Sequence, residues 1–75
     1  TKIWVQVGAF SSTLNANKVV SKLSHIYDTN ITTIEFKGRI LHRVRLGPTQ
    51  EIEKADEILT KVFQLGYSGS KIIVE

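Results

Sequence analysis

Arg43 and Arg45 stand two residues apart in the run Leu41-His42-Arg43-Val44-Arg45-Leu46, and Trp4 and Gln6 repeat that spacing near the start of the chain. A guanidinium is a planar fork that pairs bidentately with a carboxylate or a phosphate. An indole offers a stacking face, and a glutamine amide can satisfy a hydroxyl or another amide. On a strand, residues two apart project from the same side, about 6.5–7 Å from one another. Trp4, Gln6, Leu41, Arg43 and Arg45 could therefore form one flat platform for an extended polar polymer. The same residues also suit a sheet face kept soluble by its arginines, with Trp4 partly covered by its neighbours.

Little else in the chain has a spacing that supports chemistry. His25 and His42 are isolated from each other and from any carboxylate or cysteine at ligand spacing, so no metal site is expected. Gly8 lacks the companion glycines or Lys-Ser/Thr of a nucleotide loop. Glu51, Glu53, Asp56 and Glu57 cluster where a helix begins, which the helix dipole explains without catalysis. No two carboxylates project from one sheet face, so a glycosidase acid–nucleophile pair is missing. The sequon Asn30-Ile31-Thr32 is a short pattern that arises by chance. With no cysteine there is no disulfide, thiolate zinc site or thiol nucleophile, and the redox compartment stays open. No cofactor and no enzymatic activity are expected.

Hydrophobic periodicity supplies the elements that must hold the platform. Ile3, Val5 and Val7 alternate with Trp4 and Gln6, the pattern of a half-buried strand ending at Gly8. Ser11-Ser12-Thr13 offers helix N-caps. Ala16, Val19, Val20, Leu23 and Ile26 then form an apolar helix stripe, extended by Tyr27, with His25 pointing away. Asp28-Thr29-Asn30 reads as a turn, Ile31 to Phe36 as a strand, and Lys37-Gly38 as the centre of a hairpin loop. In Ile40 to Leu46, the residues Ile40, His42, Val44 and Leu46 lie opposite Leu41, Arg43 and Arg45. Gly47-Pro48-Thr49 is expected to break that strand and to supply Thr49 as the next N-cap. Ile52, Ala55, Ile58, Leu59 and Val62 make a second stripe that ends at Gly66, and Lys71 to Val74 is a last short strand.

The order is strand-helix-strand twice over, and the halves resemble each other. A shift of about 39 residues places Val5-Gln6-Val7-Gly8 on Val44-Arg45-Leu46-Gly47, and Ala16, Val19, Val20 and Leu23 on Ala55, Ile58, Leu59 and Val62. Two such units joined in one sheet predict an α+β, ferredoxin-like β-α-β-β-α-β split arrangement: four antiparallel strands, with two helices on one face. The first and third strands become central neighbours, and the platform residues fall on the face without helices.

Length and charge bound the rest. Residues 1–75 make a single small domain with a formal net charge of +3, enough to permit a polyanionic partner without requiring one. No apolar stretch nears the ~18 residues of a membrane span. A chain beginning at Thr1 rather than methionine is expected to be a module of a longer protein.

Two blocks, Val5-Gln6-Val7-Gly8-Ala9-Phe10-Ser11 with Asn15-Ala16, and Arg43-Val44-Arg45-Leu46-Gly47-Pro48 before a helix containing Ala55, resemble the SPOR domain. The resemblance spans essentially the whole chain. It implies the same β-α-β-β-α-β topology and a C-terminal, non-enzymatic module of a bacterial envelope protein. It further implies binding to peptidoglycan glycan strands stripped of their stem peptides, and hence a periplasmic location at the division septum. Carried to matching positions, the binding surface includes Gln6, Phe10, Ser11, Arg43 and Arg45, while Gly8, Gly47 and Pro48 are structural. Thr49 and His42 depart from the family pattern, standing where aromatic residues are common.

The candidate glycan-binding set is therefore Trp4, Gln6, Phe10, Ser11, Ser12, Asn15, Leu41, Arg43 and Arg45. Phe10 suits either a ligand-facing role or a staple onto the first helix. Ser11, Ser12 and Asn15 suit capping at least as well as ligand contact. Nucleic acid and direct membrane contact are not expected, and the domain should be a monomer. Two rivals share the fold. A single-stranded RNA-binding domain would need aromatics on both central strands, and a small acyl-phosphate hydrolase would need an arginine in the loop after the first strand. Trp4 alone partly meets the first requirement, and Ala9-Phe10-Ser11-Ser12 does not meet the second.

Overall fold

In the computed structural model, which describes residues 1–75, alternation and stripe resolve into six elements. They are strand β1 (Ile3–Phe10), helix α1 (Thr13–Leu23), strands β2 (Thr29–Phe36) and β3 (Arg39–Thr49), helix α2 (Ile52–Gln64) and strand β4 (Lys71–Val74). The strands form one antiparallel sheet in the order β2-β3-β1-β4. Ile3, Val5, Val7, Val44 and Leu46 meet Ala16, Val19 and Leu23 of α1 and Ala55, Ile58 and Val62 of α2 in a single buried cluster. Both helices thus cover one face of the sheet, and the other is open, as the two-fold repeat predicts.

Several boundaries differ from the expectation, each for a local reason. Ser12 caps α1 by accepting a hydrogen bond from the Asn15 N–H at 3.2 Å. That helix ends at Leu23, and Ile26 and Tyr27 reach the core from the turn beyond it rather than from the stripe. Thr29 already pairs with Leu46, so the expected turn at Asp28-Thr29-Asn30 is the start of β2. Thr49 is not an N-cap. It is the last, buried residue of β3, and its Oγ1 accepts from the Glu51 N–H at 3.2 Å, while Glu51 occupies the cap without a side-chain bond. After α2, Gly66 takes φ +99°, and Tyr67 and Gly66 donate N–H groups to the Val62 and Phe63 carbonyls at 3.1 and 3.0 Å. Those two bonds satisfy carbonyls that a helix end otherwise leaves unpaired.

Neither central strand stops at its glycine. β1 runs through Gly8 to Phe10, and β3 runs through Gly47-Pro48, a cis peptide, to Thr49. Two bulges make this possible, one between Gln6 and Gly8 and one between Ile3 and Val5, opposite Leu46 to Thr49. A bulge inserts one residue on one strand and so exchanges the faces beyond it. Past the Val7-Gly8 bulge, Gly8 pairs with Val44 and Phe10 with His42, on the helix side, while Ala9 pairs with Arg43 on the open side. Gly47 needs its glycine for space: it sits at φ +126°, and a Cβ there would lie 3.0 Å from the Ile3 carbonyl oxygen. Gly8 has no such backbone requirement, so the two glycines that the repeat superposes are not equivalent.

Candidate functional site

The register assigns the open face. β1 contributes Trp4, Gln6 and Ala9, β3 contributes Arg39, Leu41, Arg43 and Arg45, β2 contributes Asn30, Thr32, Ile34 and Phe36, and β4 contributes Lys71 and Ile73. Gln6 sits directly opposite Arg45 on one side and Lys71 on the other. Trp4, Gln6, Leu41, Arg43 and Arg45 are thus gathered on one surface.

The two arginines of that surface have different environments. Arg45 is only 4% exposed. Its guanidinium lies 4.3 Å from the centre of the Trp4 ring. Its Nη2 donates to Glu75 Oε2 at 2.9 Å, and the Trp4 indole N–H donates to the other oxygen of the same carboxylate at 3.0 Å. Backbone bonds between Lys2 and Glu75, at 2.9 and 2.8 Å, extend the β1–β4 pairing far enough to deliver that carboxylate. The hydrogen bond from Arg45 holds the Glu75 carboxyl below the usual carboxylate range. Desolvation opposes that bond and is the next largest effect, while the charge of Arg45, the Trp4 N–H and the charge of Arg43 add to the lowering. The expectation that Arg45 faces solvent is therefore corrected: it projects to the open side, but Trp4 and Glu75 cover it.

Arg43 is half-buried and has no carboxylate partner, because the chain's two ion pairs are Arg45–Glu75 and Lys54–Glu57. Its Nε donates to Thr32 Oγ1 across the strand pair at 3.1 Å, which fixes the guanidinium with its remaining N–H groups unpaired. Thr32, Glu75 and Asn30, whose amide donates to the Gly47 carbonyl at 3.3 Å, were not among the expected site residues. Strand alternation could have placed Thr32 and Asn30 on the open face. Glu75 could be found only through a contact spanning 71 residues of sequence.

Leu41 pairs with Ile34, and with the exposed Phe36 they form an apolar end of the face, toward the hairpin. Phe10 lies elsewhere. Its ring packs over Gly8, 3.2 Å from where a Cβ would stand, and against the core. Ser11 and Asn15 are exposed at the entry to α1, and Ser12 is the helix cap. His42, on the helix side, lies 3.3 Å from the Thr13 hydroxyl. The surface hollows are around His25 and Leu65, near the C-terminal ends of the helices and away from the open sheet face.

This architecture has counterparts among known proteins. The SPOR domain family matches residues 1–73. The crystal structure of the RlpA SPOR domain from Pseudomonas aeruginosa is similar with a TM-score of 0.88 and 25% identity, over 97% of this chain and 99% of that one. The solution structure of the peptidoglycan binding domain of the B. subtilis cell wall lytic enzyme CwlC shares the fold, with a TM-score of 0.72 and 22% identity over 100% of this chain and 91% of that one. No curated protein matches the chain. With a family match that leaves only the last two residues outside it, and a sheet and helices that superpose on a SPOR structure, the chain belongs to the SPOR domain family.

Proposed function

We propose that this domain is a non-catalytic module that binds denuded peptidoglycan glycan strands on its open sheet face and so targets its parent protein to the division septum. The observation that carries the reading is Arg43: a half-exposed guanidinium, held by Thr32, with no ion-pair partner, on the open sheet face shared with Gln6 and Trp4. Removing a stem peptide leaves a free lactyl carboxylate where an amide stood, and it removes the bulk that keeps the strand off a flat surface. Arg43 pairs with that carboxylate, Gln6 bonds an N-acetyl group, and Trp4 gives a sugar ring a face to rest on. Charge-assisted hydrogen bonds of this kind contribute about 1.5–3 kcal/mol before solvent screening. Lys71 and Arg39 add positive charge along the same surface, which favours an anionic polymer.

Family membership supports the reading, as does the name of the CwlC neighbour, a peptidoglycan binding domain. The face also holds no pair of free carboxylates, because Glu75 is committed to Arg45 and Trp4, which supports binding over hydrolysis. A periplasmic or cell-envelope location follows from the ligand.

The test is a pull-down on purified sacculi before and after amidase treatment, with a ribo-oligonucleotide as control. Retention should rise after amidase treatment and fall for Arg43→Ala. Equal retention on both sacculi would reject denuded-strand recognition. Tight, salt-sensitive binding to the oligonucleotide would move the site to the RNA-binding class instead.

A further inference from the structure

The ion pair between Arg45 and Glu75 leaves the arginine fork half filled. The edge formed by Nε and Nη2 is the one that takes both oxygens of a carboxylate side by side. Here Glu75 gives Oε2 to Nη2 but turns Oε1 to the Trp4 indole, and the Arg45 Nε–H is buried without any partner. The two partners also differ in freedom. The Arg45 side chain is 5% exposed and clamped beneath Trp4, whereas the Glu75 side chain is 49% exposed and can turn into solvent.

We propose that Glu75 is an internal carboxylate that the ligand's own carboxylate displaces, and that this exchange makes Glu75 a specificity-determining residue of the open face. The proposal rests on the glycan-binding reading above. A neutral ligand cannot replace Glu75, because it would leave a buried guanidinium without an anion. A sugar that carries a free carboxylate can, and by filling Nη2 and Nε together it satisfies the donor that Glu75 leaves empty. The same displacement frees the Trp4 indole N–H for an acetamido carbonyl. Arg43 meets the polymer first and Arg45 admits only its acidic form.

Trp4 is the single tryptophan of the chain, so its indole N–H resonance and its fluorescence report this exchange directly. The probes are amidase-denuded glycan strands and the same strands with their carboxylates converted to methylamides. Wild-type protein should bind the acidic strands, with the indole N–H resonance leaving its Glu75-bonded position, and should bind the amidated strands weakly with that resonance unmoved. Glu75→Gln keeps the shape but removes the competing charge. It should tighten binding to the acidic strands about tenfold, the ratio carried by one charge-assisted hydrogen bond. Unchanged or weaker binding by Glu75→Gln, or an indole resonance that stays in place when wild type binds, would overturn the exchange and leave the glycan reading standing. Wild-type protein that ignores both kinds of strand would remove both. Should Glu75→Gln fold poorly, the wild-type indole titration decides alone.

Discussion

The Arg45 guanidinium lies 4.3 Å from the centre of the Trp4 ring, and both groups donate to the carboxylate of Glu75. This arrangement divides the labour between two arginines that occupy equivalent positions on one strand. Within the fold Arg45 is neutralised by Glu75, while Arg43 has no carboxylate partner of its own.

Substituting the two arginines should therefore give different results. Arg43→Ala removes one hydrogen bond, to Thr32, and should cost about 0.5–1.5 kcal/mol of stability or less while sharply reducing retention on denuded sacculi. Arg45→Ala removes the cation beneath Trp4 and should cost about 2 kcal/mol, the upper range of a desolvated cation–π contact, together with lost packing. Urea unfolding alongside the pull-down separates the two effects. Equal losses of stability would contradict the division.

Acid should weaken the clamp. The carboxyl of Glu75 has a lowered folded pKa, so its contribution is fully present above the unfolded value of about 4.3 and is lost as pH falls through the folded value. Wild type should melt higher than Glu75→Gln at pH 7, and the difference should close progressively on acidification below about pH 5. Thermal melts by circular dichroism between neutral and acidic pH would show this. An offset that is constant across the range would contradict it.

The core is small, so single truncations should be severe. Leu46 is fully buried between the sheet and both helices, and Leu46→Ala should cost about 2–5 kcal/mol. For a domain of this size, net stability is about 4–11 kcal/mol, so that variant should be near its threshold. Leu14, 65% exposed on α1, should tolerate alanine within about 0.5 kcal/mol. Chemical denaturation of both variants makes the comparison.

Gly47 should resist substitution where Gly8 yields more easily. Gly47→Ala places a Cβ 3.0 Å from the Ile3 carbonyl at φ +126°, and should cost at least about 1–3 kcal/mol. At Gly8 an added Cβ meets only the end of the Phe10 ring, which can turn aside. Melting temperatures of the two alanine variants should differ clearly, with the Gly47 variant lower.

The six elements and their order were legible because each depends on a local period. Ile3-Val5-Val7 and Val44-Leu46 alternate, and Ala16-Val19-Leu23 and Ala55-Ile58-Val62 repeat at helical spacing, so the buried side of each element is written into a window of a few residues. The repeat of the two halves carried this further, to the sheet order and to an open face bearing Trp4, Gln6, Arg43 and Arg45.

Glycines and bulges marked the limit of that reading. Gly8 and Gly47-Pro48 looked like strand ends, because a bulge and a break share the same residue types, and the difference lies in whether a neighbouring strand continues alongside. The bulge at Val7-Gly8 then turned Phe10 to the core side, a change of parity that alternation cannot anticipate.

The sequence by itself determined which residues are apolar at which period, and hence the elements, their buried faces and the side on which both arginines emerge. Only the tertiary structure decided what those arginines meet. The carboxylate that neutralises Arg45 comes from Glu75, at the far edge of the sheet and 30 positions away, and the hydroxyl that orients Arg43 comes from Thr32 on a neighbouring strand. Side-chain period is a property of a short segment, whereas charge pairing depends on which strands the fold brings together.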